Sequence, residues 1–230
     1  MKVFLVAVAA ALALSGAAQA EGFNIEAGGT LIYSFDRNHS PLSPEIPHPD
    51  AARTHTKDGN ALEGAAYLEA QYSGLYGGVR GFVARETDLS RADLYLGYRG
   101  ETGQGFAYDV SYTRYFYPKS GGNCCGQIAL DVGVPVGARG TGKVDVALDP
   151  ENSEFAAGLG LDYAVTDQIA VGVGYGIYDL DISSTERQWK VGASYAVNDR
   201  IKTGVTWKDG SAQDGFLALT VDFKTSLLSR

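Results

Sequence analysis

FAYDVSYT, residues 106–113, alternates ring or aliphatic side chains with small or polar ones along its whole length. Phe106, Tyr108, Val110 and Tyr112 fall on one side; Ala107, Asp109, Ser111 and Thr113 fall on the other. That is the period of two of a β-strand, whose successive side chains point to opposite faces. Eleven more segments between Phe23 and Phe223 repeat the pattern. A soluble sandwich also alternates, so phase alone does not choose. The number of repeats, an export signal ahead of them and the lack of any stretch of ~20 continuous apolar residues choose together. They predict an all-β chain: a single antiparallel up-and-down transmembrane β-barrel of about twelve strands, apolar toward lipid and polar toward a lumen.

Reading outward in both directions, the apolar phase runs through Leu31 and Tyr33, Leu62 and Leu68, Leu94 and Leu96, Leu130 and Val132, Val144 and Val146, Leu159 and Leu161, Val171 and Val173, Val191 and Tyr195, Val205 and Trp207, and Leu217 to Phe223. Only the third segment, Leu75 to Ala84, is blurred, by Gly77, Gly78 and Gly81. The opposite phase collects charge, which is costly against acyl chains near the bilayer midplane. Besides Glu26, Glu63, Glu69, Lys202, Lys208 and Asp222, it carries Arg80, Asp93, Arg99, Asp109, Asp131, Lys143, Asp145, Asp162 and Lys190. Those nine are the candidate lumen residues, with electrostatic filtering rather than catalysis as their role.

Lys2, the apolar run Val3 to Leu14 and the small-x-small site Ala18-Gln19-Ala20 read as a signal peptide over residues 1–20, leaving 21–230 as the barrel domain. The expected location is the bacterial outer membrane. Without Lys2, 18 basic residues face 27 acidic ones, a formal charge of about −9, which argues against a nucleic-acid partner. The expected partners are outer-membrane lipid and lipopolysaccharide, the barrel assembly machinery, and small polar solutes or ions. With 14 Tyr against 9 Phe, the chain favours the ring that sits at a membrane interface. Tyr33, Phe35, Tyr117, Tyr163, Tyr195, Trp207 and Phe223, near strand ends, form the expected girdle.

Loop lengths sort by parity. Turns at Ser73-Gly74, Thr102-Gly103, Gly137 to Gly140, Thr166-Asp167 and Asn198-Asp199 are short, and the other set includes Asp36 to Ala61 and Lys119 to Gly126. Short turns facing the periplasm and long loops facing outward are the barrel asymmetry. The alternation ends at Phe223, with Lys224 to Arg230 beyond it.

Catalytic and metal chemistry find little support. His39, His48 and His55 all lie in the first long loop among Pro41, Pro44, Pro47 and Pro49, the composition of a solvated connection. No histidine lies in a strand, which argues strongly against a strand-borne Ser-His dyad and leaves a loop-based site as the one enzymatic alternative. Gly172, Gly174 and Gly176 precede no helix and suit a crowded inner wall better than a phosphate loop. Cys124 and Cys125 are adjacent, giving either a vicinal disulfide or two thiols. The expectation is a non-enzyme without metal or cofactor.

ALEGAAYLEAQYSGLYGGVRG from Ala61 to Gly81, then ADLYLGYRGE, then FAYDVSYTRYFYP ending at Pro118, resemble the TorF-like putative porins. The likeness spans residues 23 to 180 and is strongest from Tyr108 to Pro118. It implies an outer-membrane barrel. The chain departs from that family in the first hairpin, where Tyr33-Ser34-Phe35-Asp36-Arg37 replaces a Tyr-x-x-Arg-Gly run. Taken together, the readings point to a narrow porin-like channel for small polar solutes or ions. The alternative is a plugged barrel with a structural, adhesion or surface-recognition role through its extracellular loops.

Overall fold

The computed structural model describes residues 22–37, 59–84, 89–118, 122–179, 185–211 and 214–229. The expected signal peptide, the three histidines and the Cys124 side chain lie outside them. Twelve strands follow in order: β1 (Phe23–Arg37), β2 (Gly59–Tyr72), β3 (Leu75–Ala84), β4 (Leu89–Glu101), β5 (Ala107–Tyr117), β6 (Gly122–Val136), β7 (Gly140–Asp149), β8 (Glu154–Ala164), β9 (Ile169–Asp179), β10 (Thr185–Ala196), β11 (Ile201–Gly210) and β12 (Phe216–Ser229). Each pairs antiparallel with the next, and β12 returns to β1, so the sheet closes into a barrel as predicted. Closure gives every strand two partners, the condition for burying backbone amides in hydrocarbon. No helix among the described residues is long and apolar enough to cross a membrane. The crossing elements are the strands.

Outward positions are apolar and exposed on every side. Leu31, Leu68, Val79, Leu96, Leu159, Val173 and Val205 project from seven different strands. Rings gather at the two rims. Tyr33, Phe35 and Trp207 lie toward the end of the long connections, and Tyr72, Tyr163, Tyr195 and Phe223 toward the end holding both chain termini. Tyr33 meets Phe35 edge-on at 4.8 Å. An apolar belt between two aromatic girdles is the outer surface of a transmembrane barrel.

The turns at the terminal end follow local chemistry. Ser73 and Gly74 both take positive φ, 48° and 84°, the two-residue turn whose twist matches a hairpin. Thr166 Oγ1 accepts from the amides of Gln168 and Ile169, and Asn198 Oδ1 from those of Arg200 and Ile201, folding each turn on its own side chain.

Four expectations need correction. The third segment is cleanly phased: Leu75, Val79 and Val83 face out, while Tyr76, Arg80 and Phe82 face in. Gly77 and Gly81 occupy outward slots and so mask the alternation. The strands also run further into the connections than composition suggests, because backbone pairing continues past the last apolar residue. Arg37 pairs with Gly59 across a bulge, and β6 begins at Gly122, so Gly126 and Cys125 belong to a strand. Tyr117 leaves the girdle: it shares the phase of Asp109 and packs inside with Tyr115 and Cys125. Finally, the segment after Phe223 is structural. β12 continues through a bulge and pairs Thr225, Ser226, Leu228 and Ser229 with Ala27, Glu26, Ile25 and Asn24.

The ladder is tilted. Following partners from Asn24 through Gln71, Tyr76, Gly97, Ser111, Ala129, Ala147, Ala156 and Tyr178 to Glu186 leads from the terminal end of β1 to the loop end of β10. Strands in closed barrels incline in this way to the axis.

The lumen as candidate functional site

The inner wall is thick on one side and thin on the other. From β2 to β6 it carries rings and ion pairs. Tyr67 lies across Gly28 and Tyr95 across Gly78, close enough that a Cβ there would come within 2.7 Å of the Tyr67 ring or 2.5 Å of the Tyr95 hydroxyl. Tyr76 covers Gly97 in the same way. A ring laid over a strand glycine restores packing that the missing side chain forfeits. The Tyr67 hydroxyl donates to Glu26 and the Tyr76 hydroxyl to Asp109. Arg99 binds the whole group together: Nη2 donates to both Glu69 oxygens at 2.9 Å, Nε lies 3.5 Å from Asp109, and the guanidinium sits 3.7 Å from the Tyr76 ring centre.

Toward the loop end, Asp93 is 1% exposed between two arginines. Arg80 Nε stands 2.9 Å from its Oδ2 and Arg91 Nε 2.8 Å from its Oδ1. Arg91 in turn lies 5.0 Å from the Tyr115 ring and 5.3 Å from Phe82, and the Tyr115 hydroxyl donates to Gln127 at 2.8 Å. A buried carboxylate survives only when paired in this way.

From β8 to β12 the inward phase is mostly small: Gly158, Gly160, Gly172, Gly174, Gly176, Gly192, Gly204, Ala164, Ala170 and Ala218. These glycines are a floor for neighbouring charges. A Cβ on Gly158 would overlap the Asp145 carboxylate, one on Gly172 the Asp162 carboxylate, and one on Gly174 would fall 2.7 Å from Lys190 Cε.

Two chambers open in the lumen, the first of them against this thin wall. One, of about 530 Å³, is lined by Glu26, Glu69, Arg80, Arg99, Asp131, Asp145, Lys190 and the rings of Tyr67, Tyr76, Tyr95 and Tyr115. The other, of about 990 Å³, lies toward the terminal end against Gln71, Glu101, Asp109 and Lys143. Arg99, Asp131 and Asp145 line both and mark their junction. Register explains the junction. Asp109 pairs with Asp131, and Asp131 with Asp145, so three carboxylates stand side by side on β5, β6 and β7. Toward the loop end a small separate pocket of about 10 Å³ lies between Tyr115, Gln127, Asp149 and Glu154.

All nine residues singled out in the sequence take the inward phase. Arg80, Arg99, Asp131, Asp145 and Lys190 line the chamber of about 530 Å³, and Asp109 and Lys143 the one toward the terminal end. Asp93 is withdrawn into its arginine pair, and Asp162 sits 2.5 Å from Lys143. Sequence reasoning missed the tyrosines and left Glu26 and Glu69 out of the filter. For Tyr76 and Tyr95 the missing signal was phase: each sits an even number of positions from Arg80 or Asp93. Among the described residues no group of three or more His, Cys, Asp or Glu side chains is arranged to hold a metal ion.

Comparison with solved structures gives porins. The KdgM porin in complex with disordered oligogalacturonate superposes with a TM-score of 0.62 at 10% identity, covering 86% of this chain and 98% of that one. The NanC porin gives 0.58 at 7% identity, covering 86% and 100%. At such identities the likeness is one of fold, and these neighbours are channels rather than enzymes. A search of curated proteins found no match. The model of the outer membrane protein beta-barrel domain matches residues 4–208, most of the chain. With a closed twelve-stranded barrel, a lipid-facing belt and that match in hand, the chain belongs to the outer membrane protein beta-barrel domain family.

Proposed function

We propose that the barrel is a narrow channel for small polar solutes or ions, weakly conducting and cation-preferring. The observation that carries this reading is the pair of chambers that share Arg99, Asp131 and Asp145, with Asp109 next to Asp131 in the same row. Fixed charge in a confined low-dielectric space concentrates counter-ions. Among the nine inward candidates five are acidic and four basic, and Arg80 and Arg99 are already engaged by Asp93, Glu69 and Asp109. The resemblance to TorF-like porins agrees with this reading, which includes export through a signal peptide at residues 1–20 and insertion by the barrel assembly machinery into a lipopolysaccharide-bearing membrane.

The test is the reversal potential of the purified barrel in planar bilayers across a salt gradient. The expected sign is cation preference, reduced when Asp109 and Asp131 are both changed to Asn. One observation favours the plugged alternative, in which the loops act in adhesion or recognition: inward side chains at the loop end are buried, Asp93 and Tyr115 at 1% and Cys125 at 0%. Absence of conductance steps in confirmed insertions would select that alternative.

A further inference from the structure

We infer that the chamber of about 530 Å³ is a binding site for an uncharged polyhydroxylated solute, the chemistry of a short neutral oligosaccharide; this deepens the channel reading and rests on it. Its volume is in the range of small-ligand sites. Tyr67 and Tyr95 are both partly exposed and both line the chamber, the Tyr67 ring beside Gly28, the hydroxyl end of Tyr95 beside Gly78, and the Tyr95 ring 6.1 Å from that of Tyr76. Such rings are rigid and flat, apolar on the face and polar at the tip. A pyranose has a matching C–H face, and its rim of hydroxyls each brings a donor and an acceptor.

The polar groups around the rings suit that rim. Glu26 accepts the Tyr67 hydroxyl, and a carboxylate has about four lone-pair sites, so acceptor capacity is left over. Charge then decides the class of solute. A polyanion needs available cations, but Arg80 and Arg99 are held by Asp93, Glu69 and Asp109. The other charges on the wall are of mixed sign: Asp131 and Asp145 on β6 and β7, Lys190 on β10. Neither a polyanion nor a polycation is matched by such a wall. A neutral ligand that both donates and accepts is.

Maltotriose, a polyethylene glycol of equal hydrodynamic size, and trigalacturonate are the probes, added to single channels in planar bilayers. Maltotriose is expected to interrupt the current with resolvable dwells that the polymer does not produce. Tyr67→Leu and Tyr95→Leu should raise its half-blocking concentration roughly tenfold, while Tyr67→Phe and Tyr95→Phe, which keep the ring, stay within about threefold. Folding of each variant is checked by heat-modifiable gel mobility. Equal block by the polymer, stronger block by trigalacturonate, or Leu variants that block like the wild type would overturn the assignment while leaving the channel intact. If confirmed insertions show no current, the channel reading falls separately. The chamber is then tested by the thermal transition of the detergent-solubilised barrel: a rise with maltotriose that is lost in the Leu variants supports it, and no rise overturns it.

Discussion

Asp93 sits where two guanidinium groups meet almost without water. Replacing it by Asn would leave Arg80, a quarter exposed, and Arg91, a tenth exposed, without the Asp93 charge between them, a loss below the roughly 3–5 kcal/mol of a fully buried broken pair. The expected outcome is a clear fall in the temperature at which heat-modifiable mobility is lost, larger than for Asp162→Asn, whose partner Lys143 is well exposed. The two faces of one strand give a second contrast. Val110 and Ser111 are neighbours in β5, one outward and one inward. Arg at Val110 should impair membrane assembly by roughly 2–4 kcal/mol, and Arg at Ser111 should be better tolerated because it faces the chamber. Equal damage at both positions, measured by membrane insertion and gel mobility, would contradict the assigned phase.

Among the elements, β5 was legible because Asp109 and Val110 cannot be exchanged between lipid and lumen. In β3 the outward glycines remove the apolar half of the signal, so Arg80 was placed correctly while Tyr76 was overlooked. Tyrosine needs phase as well as type. It is at home at a membrane rim and on a polar inner wall, so type alone does not place it; an even spacing from Glu69, Asp93 and Asp109 puts Tyr67, Tyr95 and Tyr115 inside, and puts Tyr117 there too, although its place near a strand end suggested the girdle. The strand ends were hidden for another reason: their pairing depends on a partner distant in sequence. β12 shows this best. Ending the chain at Phe223 removes the partners of Asn24, Ile25, Glu26 and Ala27 and exposes an edge on β1. Such a truncation should lower the thermal transition of the barrel and slow its assembly, read by pulse-chase appearance of the compact gel band; unchanged assembly would mean that the tail pairing contributes little.

At the level of the whole molecule, five short turns share one rim with both termini, and the 38–58 connection leaves from the other. With the termini in the periplasm, protease added to intact cells should cut within 38–58 and leave the strands embedded. Cutting only after the outer membrane is broken would invert the barrel. The tilt of the ladder bears on the three aspartates in a way that a flat drawing of the sheet conceals. Strands lie about 4.8 Å apart and lean about 40° from the axis, so each neighbour in a row is displaced by about 3 Å along the pore. Asp109, Asp131 and Asp145 therefore do not encircle a passing ion at one depth. They form a staircase, and in the proposed channel an ion would descend it by short hops between successive footholds, never far from one carboxylate before it reached the next.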